Sequence, residues 1–137
     1  MNKIDLYIDG ASKGNPGPAG IGVVLCSGGE VVKNISDFIG NATNNVAEYT
    51  ALIYGLQEAL ILKARILQIN TDSQLLARQI NKDYKVKHPN IIPLYNQAIR
   101  LIQGFEEVCV KHIPREENSG ADKLANLAIK KAVKSKN

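Results

Sequence analysis

Tryptophan is absent from this chain, and phenylalanine, methionine and cysteine are scarce, at two, one and two residues among 137. No disulfide framework is needed at this length, and Cys26 and Cys109 both lie in apolar, strand-like runs. We interpret them as small buried core residues in a reducing compartment, while a disulfide between them stays open. No apolar run approaches the roughly 20 residues that span a bilayer, and the first residues show no signal peptide. We therefore expect a soluble, cytoplasmic protein without membrane contact.

Length and charge bound the class of protein. The 137 residues match one ordinary domain, 1–137, long enough to bury roughly two thirds of the surface of the unfolded chain. No internal repeat or low-complexity linker divides it. Lysine and arginine total 17 against 13 acidic residues, which gives a net charge of +4. This excess favours a polyanionic partner without identifying one.

The spacing of apolar residues predicts the element order βββαβααβα. Apolar and polar residues alternate up to Asp9, which is predicted to end the first strand, and a loop rich in glycine and proline follows from Gly10 to Gly20. A three-strand meander followed by helix-linked strands implies an α/β fold with one five-stranded mixed sheet, its first three strands antiparallel and helices on both faces. The predicted strands are Ile4–Ile8, Ile21–Cys26, Val31–Ile39, Ile66–Ile69 and Phe105–Ile113, with a hairpin turn at Gly28-Gly29. The predicted helices begin after Thr43-Asn44-Asn45, near Gln74 and near Leu94, and Asn118 or Ser119 is predicted to cap a final helix.

Four acidic residues fall where the chain changes element. Asp9 closes the first predicted strand, Glu48 lies about one turn into the first helix, Asp72 follows the fourth strand, and Asp122 lies in the first turns of the last helix. Carboxylates within about 4 Å of one another repel by a few kcal/mol per pair at an effective dielectric near 20, so such a cluster requires cations. An all-oxygen site suits hard divalent cations and metal-assisted phosphodiester chemistry.

Each of these acids also has a purely structural interpretation. Asp72 and Asp122 would complement helix N-termini, Glu48 would be a solvated helix residue, and Asp9 would form a turn. Taken singly, that interpretation is the commoner one, whereas the joint placement of all four favours a site. The other acids singled out are assigned to solvated surface, namely Asp5, Glu106, Glu107, Glu116 and Glu117.

Four segments of the chain resemble the type 1 ribonuclease H family. They are DGASKGNPGPAG from Asp9, TNNVAE from Thr43, TDSQ from Thr71 and NSGADKLA from Asn118, in the family's order and spread over nearly the whole chain. The resemblance implies a ribonuclease H-like fold and an endonuclease that depends on Mg²⁺ or Mn²⁺ and cuts the RNA strand of an RNA/DNA hybrid. Products would carry 5′-phosphate and 3′-hydroxyl ends.

The same resemblance implies a metal site. Two ions are expected with substrate, one to activate the attacking water and one to stabilise the leaving 3′ oxygen. The family's four carboxylates map onto Asp9, Glu48, Asp72 and Asp122. Asp9 is expected to bridge both ions, and Asp122 is expected to be the most replaceable of the four.

Substrate contacts are also assigned by the resemblance. Only the 2′-hydroxyl and the groove shape distinguish RNA from DNA, and short polar groups are able to detect them. For Asn44 and Asn45, helix capping is the competing interpretation. Phosphate contacts would come from lysines, so that binding depends on salt but not on base sequence. The positions expected to hold consecutive ribose hydroxyls are Gly10, Ser12, Asn15, Asn44, Asn45 and Gln74.

Two interpretations of His112 stand side by side. It lies ten positions before Asp122, where many family members carry a loop histidine that moves a proton or helps product leave. The alternation of the preceding residues would equally make it the end of a strand. In the loop that follows His112, Arg115 would contact phosphate or pair with a neighbouring glutamate. The second histidine, His88, is assigned to a different, exposed loop.

One departure from the family concerns affinity. Some members insert a basic, tryptophan-bearing protrusion after the helix that follows the third carboxylate, whereas this chain has no tryptophan and only the short segment from Lys82 to Lys87 there. Weaker hybrid affinity is expected unless the C-terminal lysines compensate, namely Lys130, Lys131, Lys134 and Lys136. We expect a monomer. The alternative functions are a catalytically weak hybrid-binding module and a related nuclease that also cuts double-stranded RNA, or one that acts on DNA junctions.

Overall fold

A computed structural model describes residues 2–135 of the chain. The strands are β1 (Lys3–Ser12), β2 (Gly17–Ser27), β3 (Glu30–Ala42), β4 (Ile66–Thr71) and β5 (Glu107–His112). The helices are α1 (Asn44–Ile61), α2 (Gln74–Ile80), α3 (Ile92–Ile102) and α4 (Ser119–Ser135), and a 3-10 turn (Arg115–Asn118) leads into α4. The strands form one sheet in the order β3-β2-β1-β4-β5. The predicted element order is therefore confirmed.

The sheet is mixed, and β1 lies at its centre. β1 pairs antiparallel with β2 and parallel with β4, while β2 and β3 are antiparallel and β4 and β5 are parallel. Gly28 and Gly29 form the hairpin turn between β2 and β3 with φ angles of 59° and 82°, a backbone region that glycine adopts at little cost. The helical connection through α1 returns the chain so that β4 runs parallel to β1. The predicted antiparallel meander and mixed sheet are both confirmed.

Helices cover both faces of the sheet. On one face α1 packs over β1, where Leu6 and Ile8 are fully buried. On the other face α4 packs closely against β2. A Cβ atom added at Gly22 would lie 1.9 Å from the carbonyl oxygen of Ala121, so only glycine allows the α4 backbone to come this near. Gly22 pairs with Asp9 across the strands, and this close approach therefore brings the start of α4 to the end of the sheet that carries Asp9.

The first strand is longer than predicted, and Asp9 does not end it. β1 continues to Ser12 because residues 9–12 pair with residues 19–22 of β2. The predicted loop from Gly10 to Gly20 thus shrinks to a short turn between Ser12 and Gly17. What ends near Asp9 is the parallel pairing of β1 with β4. The predicted end of the strand at Asp9 was wrong because the glycines and prolines lie within a hairpin, and the hydrogen-bond ladder continues on both sides of its turn.

The cysteines are not core residues, contrary to the prediction. Cys109 is exposed, Cys26 is half-buried, and both are free. They lie in one row across the sheet through Asp5 and Gln68. Three strand spacings of about 4.8 Å separate them by about 14 Å, which excludes a disulfide without backbone movement. The prediction failed because side chains alternate along β5, and Cys109 points to the face on which α4 covers β1, β2 and β3 rather than the β5 edge.

The C-terminal lysines lie on the outer side of α4. Lys130, Lys131 and Lys134 are exposed, whereas Ile129 beside them is buried. Lys136 lies outside the described residues. Within residues 2–135 no helix combines the length and apolar character required to cross a membrane.

Candidate active site

Asp9 and Asp72 lie next to each other at one edge of the sheet. The last paired residues of β1 and β4 are Ile8 and Thr71, so Asp9 and Asp72 are the next residues on two adjacent parallel strands. Adjacent strands are about 4.8 Å apart, and the carboxyl ends of such strands are where α/β proteins place polar sites. The hydroxyl of Ser73, not Asp72, caps α2 by accepting a hydrogen bond from the Leu76 amide at 3.1 Å.

Glu48 reaches this edge from the first turns of α1. Thr43 caps the helix, its hydroxyl accepting a hydrogen bond from the Val46 amide at 3.2 Å. One oxygen of the Glu48 carboxylate accepts a hydrogen bond from the Gly10 amide of β1. A Cβ atom at position 10 would lie 2.2 Å from the carbonyl carbon of Ala47, so glycine is required for α1 to approach the strand this closely. Glu48 is consequently 7% exposed and is not a solvated helix residue.

Asp122 enters the same cleft from the first turns of α4. Its carboxylate Oδ1 lies 3.7 Å from Nη2 of Arg115 and accepts a hydrogen bond from Asn126 Nδ2 at 3.2 Å. The cleft is an open cavity of about 500 Å³. All four predicted carboxylates line it, and Asp122 also approaches the carboxyl group of Asp9.

The carboxylates of Asp9, Glu48 and Asp72 form the centre of the cleft. One oxygen from each lies within 4.8 Å of the other two. Burial, and then the negative charge of Asp72, raises the pKa of Asp9 to about 8. Burial, and then the charge of Asp9, raises the pKa of Glu48 well above its ordinary value. Carboxylates held this close cannot all be ionised unless positive charge is present, and an all-oxygen donor set fits a hard divalent cation. The residues present therefore fit the predicted metal.

Four of the six positions predicted to contact substrate line this cleft, namely Gly10, Ser12, Asn44 and Asn45. Asn44 is held in place because its side-chain oxygen accepts from the Ser12 amide at 2.9 Å. Asn15 supports it from behind by accepting a hydrogen bond from the Asn44 amide at 2.9 Å. The helix-capping interpretation of Asn44 and Asn45 is wrong, since Thr43 is the cap. Gln74 is exposed at the start of α2 and lies outside the set of residues that line the cleft.

The two histidines and Arg115 lie in different surroundings. His112 ends β5, is exposed, and places Nε2 3.3 Å from the backbone oxygen of Asp72, outside the cleft lining. Arg115 does line the cleft and pairs with Asp122 rather than with a glutamate. His88 is exposed, as predicted. A catalytic role for His112 stays a prediction.

Sequence reasoning missed two asparagines that hold the outer carboxylates. Asn118, predicted as a possible helix cap, instead points into the sheet and donates through Nδ2 to Asp72 Oδ2 at 3.2 Å. Asn126 donates to both the side chain and the backbone oxygen of Asp122. The spacing of four residues between Asp122 and Asn126 on a helix was a readable signal. Asn118 begins the family-like segment NSGADKLA, but its partners could not be predicted because they come from β1 and the end of β4.

This sheet order, with a carboxylate cluster at the carboxyl edge of β1 and β4, defines the class of ribonuclease H-like α/β proteins. Residues 7–128 match the family model described as reverse transcriptase-like. The bifunctional protein Rv2228c of Mycobacterium tuberculosis is 42% identical over 135 residues. That match covers 97% of this chain, which in turn spans only 37% of the length of that relative.

Two solved structures have the same architecture. RNase H1 from the halophilic archaeon Halobacterium salinarum matches at 40% identity with a TM-score of 0.92, over 95% of this chain and 99% of that one. LC11-RNase H1, solved in complex with an RNA/DNA hybrid, matches at 39% identity with a TM-score of 0.91 over 95% and 99% of the two chains. The chain belongs to the type 1 ribonuclease H family, as the four sequence segments predicted.

Proposed function

We propose that the protein is a metal-dependent endoribonuclease that hydrolyses the RNA strand of RNA/DNA hybrids to 5′-phosphate and 3′-hydroxyl products. The observation that carries this proposal is the meeting of Asp9, Glu48 and Asp72, whose oxygens lie within 4.8 Å of one another. They lie in a cleft that is open to a large ligand and lined by amide and backbone groups. The hybrid complex of the LC11 relative supports the choice of substrate.

In this proposal Asp9, Glu48 and Asp72 hold Mg²⁺ or Mn²⁺, and Asp122 completes the site when substrate is bound. Two ions are expected in the presence of hybrid, and they would supply positive charge to the phosphodiester during in-line attack by water. The hydrogen bond from the Gly10 amide orients the Glu48 carboxylate toward the position where the cations would bind. Because burial raises the pKa of Asp9 to about 8, cation binding near neutral pH is expected to release a proton.

Ribose recognition is assigned to the polar wall beside the carboxylates. The oxygen of the Asn44 side chain is occupied by the Ser12 amide, which leaves its NH₂ group to donate to a 2′-hydroxyl. The exposed side chain of Asn45 and the backbone at Gly10 complete this wall. DNA lacks the 2′-hydroxyl and therefore could not form these hydrogen bonds.

Phosphate contacts fall to basic groups at the rim. Lys13 is exposed and lines the cleft. The Arg115 guanidinium lies at the same cleft beside Asp122 and suits a phosphate oxygen geometrically. Such contacts carry no base information, so the proposed enzyme binds hybrids of any sequence with an affinity that falls with salt.

Cleavage of end-labelled substrates tests the proposal directly. RNA/DNA hybrid, double-stranded RNA, double-stranded DNA and a DNA junction are incubated with the protein in Mg²⁺, Mn²⁺ or EDTA. Asp72→Asn removes one carboxylate of the cluster, and Asp83→Asn, at an exposed residue outside the cleft lining, is its matched control. We expect metal-dependent cutting of the RNA strand of the hybrid, lost in Asp72→Asn and kept in Asp83→Asn.

Other outcomes point to the alternatives. Metal-independent hybrid affinity without cutting in either metal would replace the enzyme with a hybrid-binding module. Cutting of double-stranded RNA beside the hybrid would widen the substrate class. Cutting of substrates that contain no ribose would overturn the assignment of ribose recognition to Asn44 and its neighbours.

A further inference from the structure

Asn118 lies beneath the acidic cleft and is 1% exposed. Its side-chain Nδ2 donates two hydrogen bonds, one to the backbone oxygen of Ile8 at 2.8 Å and one to Asp72 Oδ2 at 3.2 Å. Ile8 directly precedes Asp9 on β1, and Asp72 directly follows β4. One buried amide group therefore joins β1, next to Asp9, to Asp72 at the end of β4.

The hydrogen bonds that Asn118 donates are the reason to expect an amide at this position. Asn118 is the last residue of the 3-10 turn that leads into α4, and Asp122 follows four residues later on that helix. Since its side chain points into the sheet, it does not cap α4. Within residues 2–135 its Oδ1 has no hydrogen-bond partner, and burying an unpaired acceptor costs folding free energy. An apolar side chain would avoid that cost, so the two donated bonds are what the amide contributes.

We propose that Asn118 is a positioning residue for the metal site, which rests on the proposed function. By holding Oδ2 of Asp72, it restricts the rotation of that carboxylate, which would hold the cation together with Asp9 and Glu48. By holding the carbonyl of Ile8 with its second N–H, it sets the spacing between Asp72 and β1. Groups that orient metal ligands in this way typically change metal affinity or activity about 10–100-fold when removed.

Three variants separate this role from simple packing. Asn118→Ala removes the hydrogen-bond donor and leaves empty space. Asn118→Asp keeps the size of the side chain but replaces the donor with an acceptor beside Asp72. Asn81→Ala is the matched control, because Asn81 also donates to a backbone oxygen, that of Val110 at 3.4 Å, but is exposed and outside the cleft lining. Each variant is first checked for folding by circular dichroism.

Binding of Mg²⁺ to each variant is measured by calorimetry in the absence of nucleic acid. We expect about 10–100-fold weaker binding in both Asn118 variants and no change in Asn81→Ala. In cleavage assays the Mg²⁺ requirement should rise by a similar factor, with the KM for hybrid at saturating Mg²⁺ within about twofold of wild type. Wild-type Mg²⁺ affinity in a folded Asn118→Ala or Asn118→Asp variant would overturn the proposal.

A measurement on the unaltered protein covers the case in which the Asn118 variants do not fold. The side-chain NH₂ signals of Asn118 are followed by NMR while Mg²⁺ is added. They should shift with the midpoint of Mg²⁺ binding, because the Asp72 carboxylate that accepts their hydrogen bond becomes a ligand, while the Asn81 signals stay unchanged. Mg²⁺ binding that leaves the Asn118 signals in place would overturn the proposal. A protein that binds neither Mg²⁺ nor Mn²⁺, even with hybrid present, would instead overturn the proposed function.

Discussion

Replacing Asp9 with asparagine should stabilise the metal-free protein while abolishing cleavage. Burial and the charge of Asp72 raise the pKa of Asp9 to about 8 in the folded chain, whereas an unfolded aspartate ionises near about 3.9. Between these values the folded state binds a proton that the unfolded state has lost. The free energy of unfolding of the metal-free wild type therefore falls as pH rises from about 4 to about 8. Asparagine has no such proton to lose.

The size of the effect follows from the same comparison. A tenfold change in proton affinity corresponds to about 1.4 kcal/mol, so a rise of roughly four decades sets an upper limit of about 6 kcal/mol. Asp72 is only partly buried, so solvent screens part of its charge, and we expect at least about 2 kcal/mol near pH 8.5 and almost nothing near pH 4. For a domain of this size that gain raises Tm by about 5 °C or more.

Urea unfolding followed by circular dichroism at several pH values, in excess EDTA, measures this gain. Asp83→Asn, at an exposed position outside the cleft lining, is the control and should leave the pH dependence unchanged. Added Mg²⁺ should stabilise the wild type more than Asp9→Asn, since cations bind the folded carboxylates. An Asp9→Asn variant no more stable than wild type near pH 8.5, or a gain that does not depend on pH, would refute the electrostatic reasoning.

Three further changes probe the elements that build the cleft. Gly22→Ala places a Cβ atom 1.9 Å from the Ala121 oxygen, so it should lower the free energy of unfolding in urea by about 1–3 kcal/mol and reduce cleavage by displacing Asp122. In the control variant Gly120→Ala the Cβ atom would meet Val24 at an ordinary 3.5 Å, and this change should be neutral or stabilising. Equal stability of the two variants would contradict the close-packing argument. Lys13→Gln should weaken hybrid binding and reduce the slope of log affinity against log salt by about 1, and an unchanged slope would remove Lys13 from the phosphate contacts. Joint replacement of Lys130, Lys131 and Lys134 by glutamine tests whether these lysines compensate for the missing basic protrusion. We expect reduced hybrid affinity at low salt with unchanged Tm, and an affinity equal to that of the wild type would reject compensation. Truncation at Ala128 is unsuitable for this test because it removes the buried Ile129.

The spacing of apolar residues and the positions of turn-forming residues sufficed to predict the order of strands and helices. Alternation along β1, the Gly28-Gly29 turn and the helical spacing after Thr43 are local signals, and the structure agrees with each of them. Errors arose where neighbouring strands decided the outcome. β1 runs past Asp9 because β2 pairs with it, and Cys109 is exposed because its face of β5 lies beyond the strands that α4 covers.

The element order, the family and the four acidic positions could be predicted from local sequence, because short motifs at strand and helix ends reflect the chemistry they serve. Which side chains contact one another depends on the three-dimensional packing. Gly10 and Gly22 allow two helices to approach the sheet closely. Arg115 forms an ion pair with Asp122, and Asn118 donates hydrogen bonds to both Ile8 and Asp72. These contacts join residues far apart in the chain, and no local pattern specifies them, since they follow from strand register and from how closely α1 and α4 pack on the sheet.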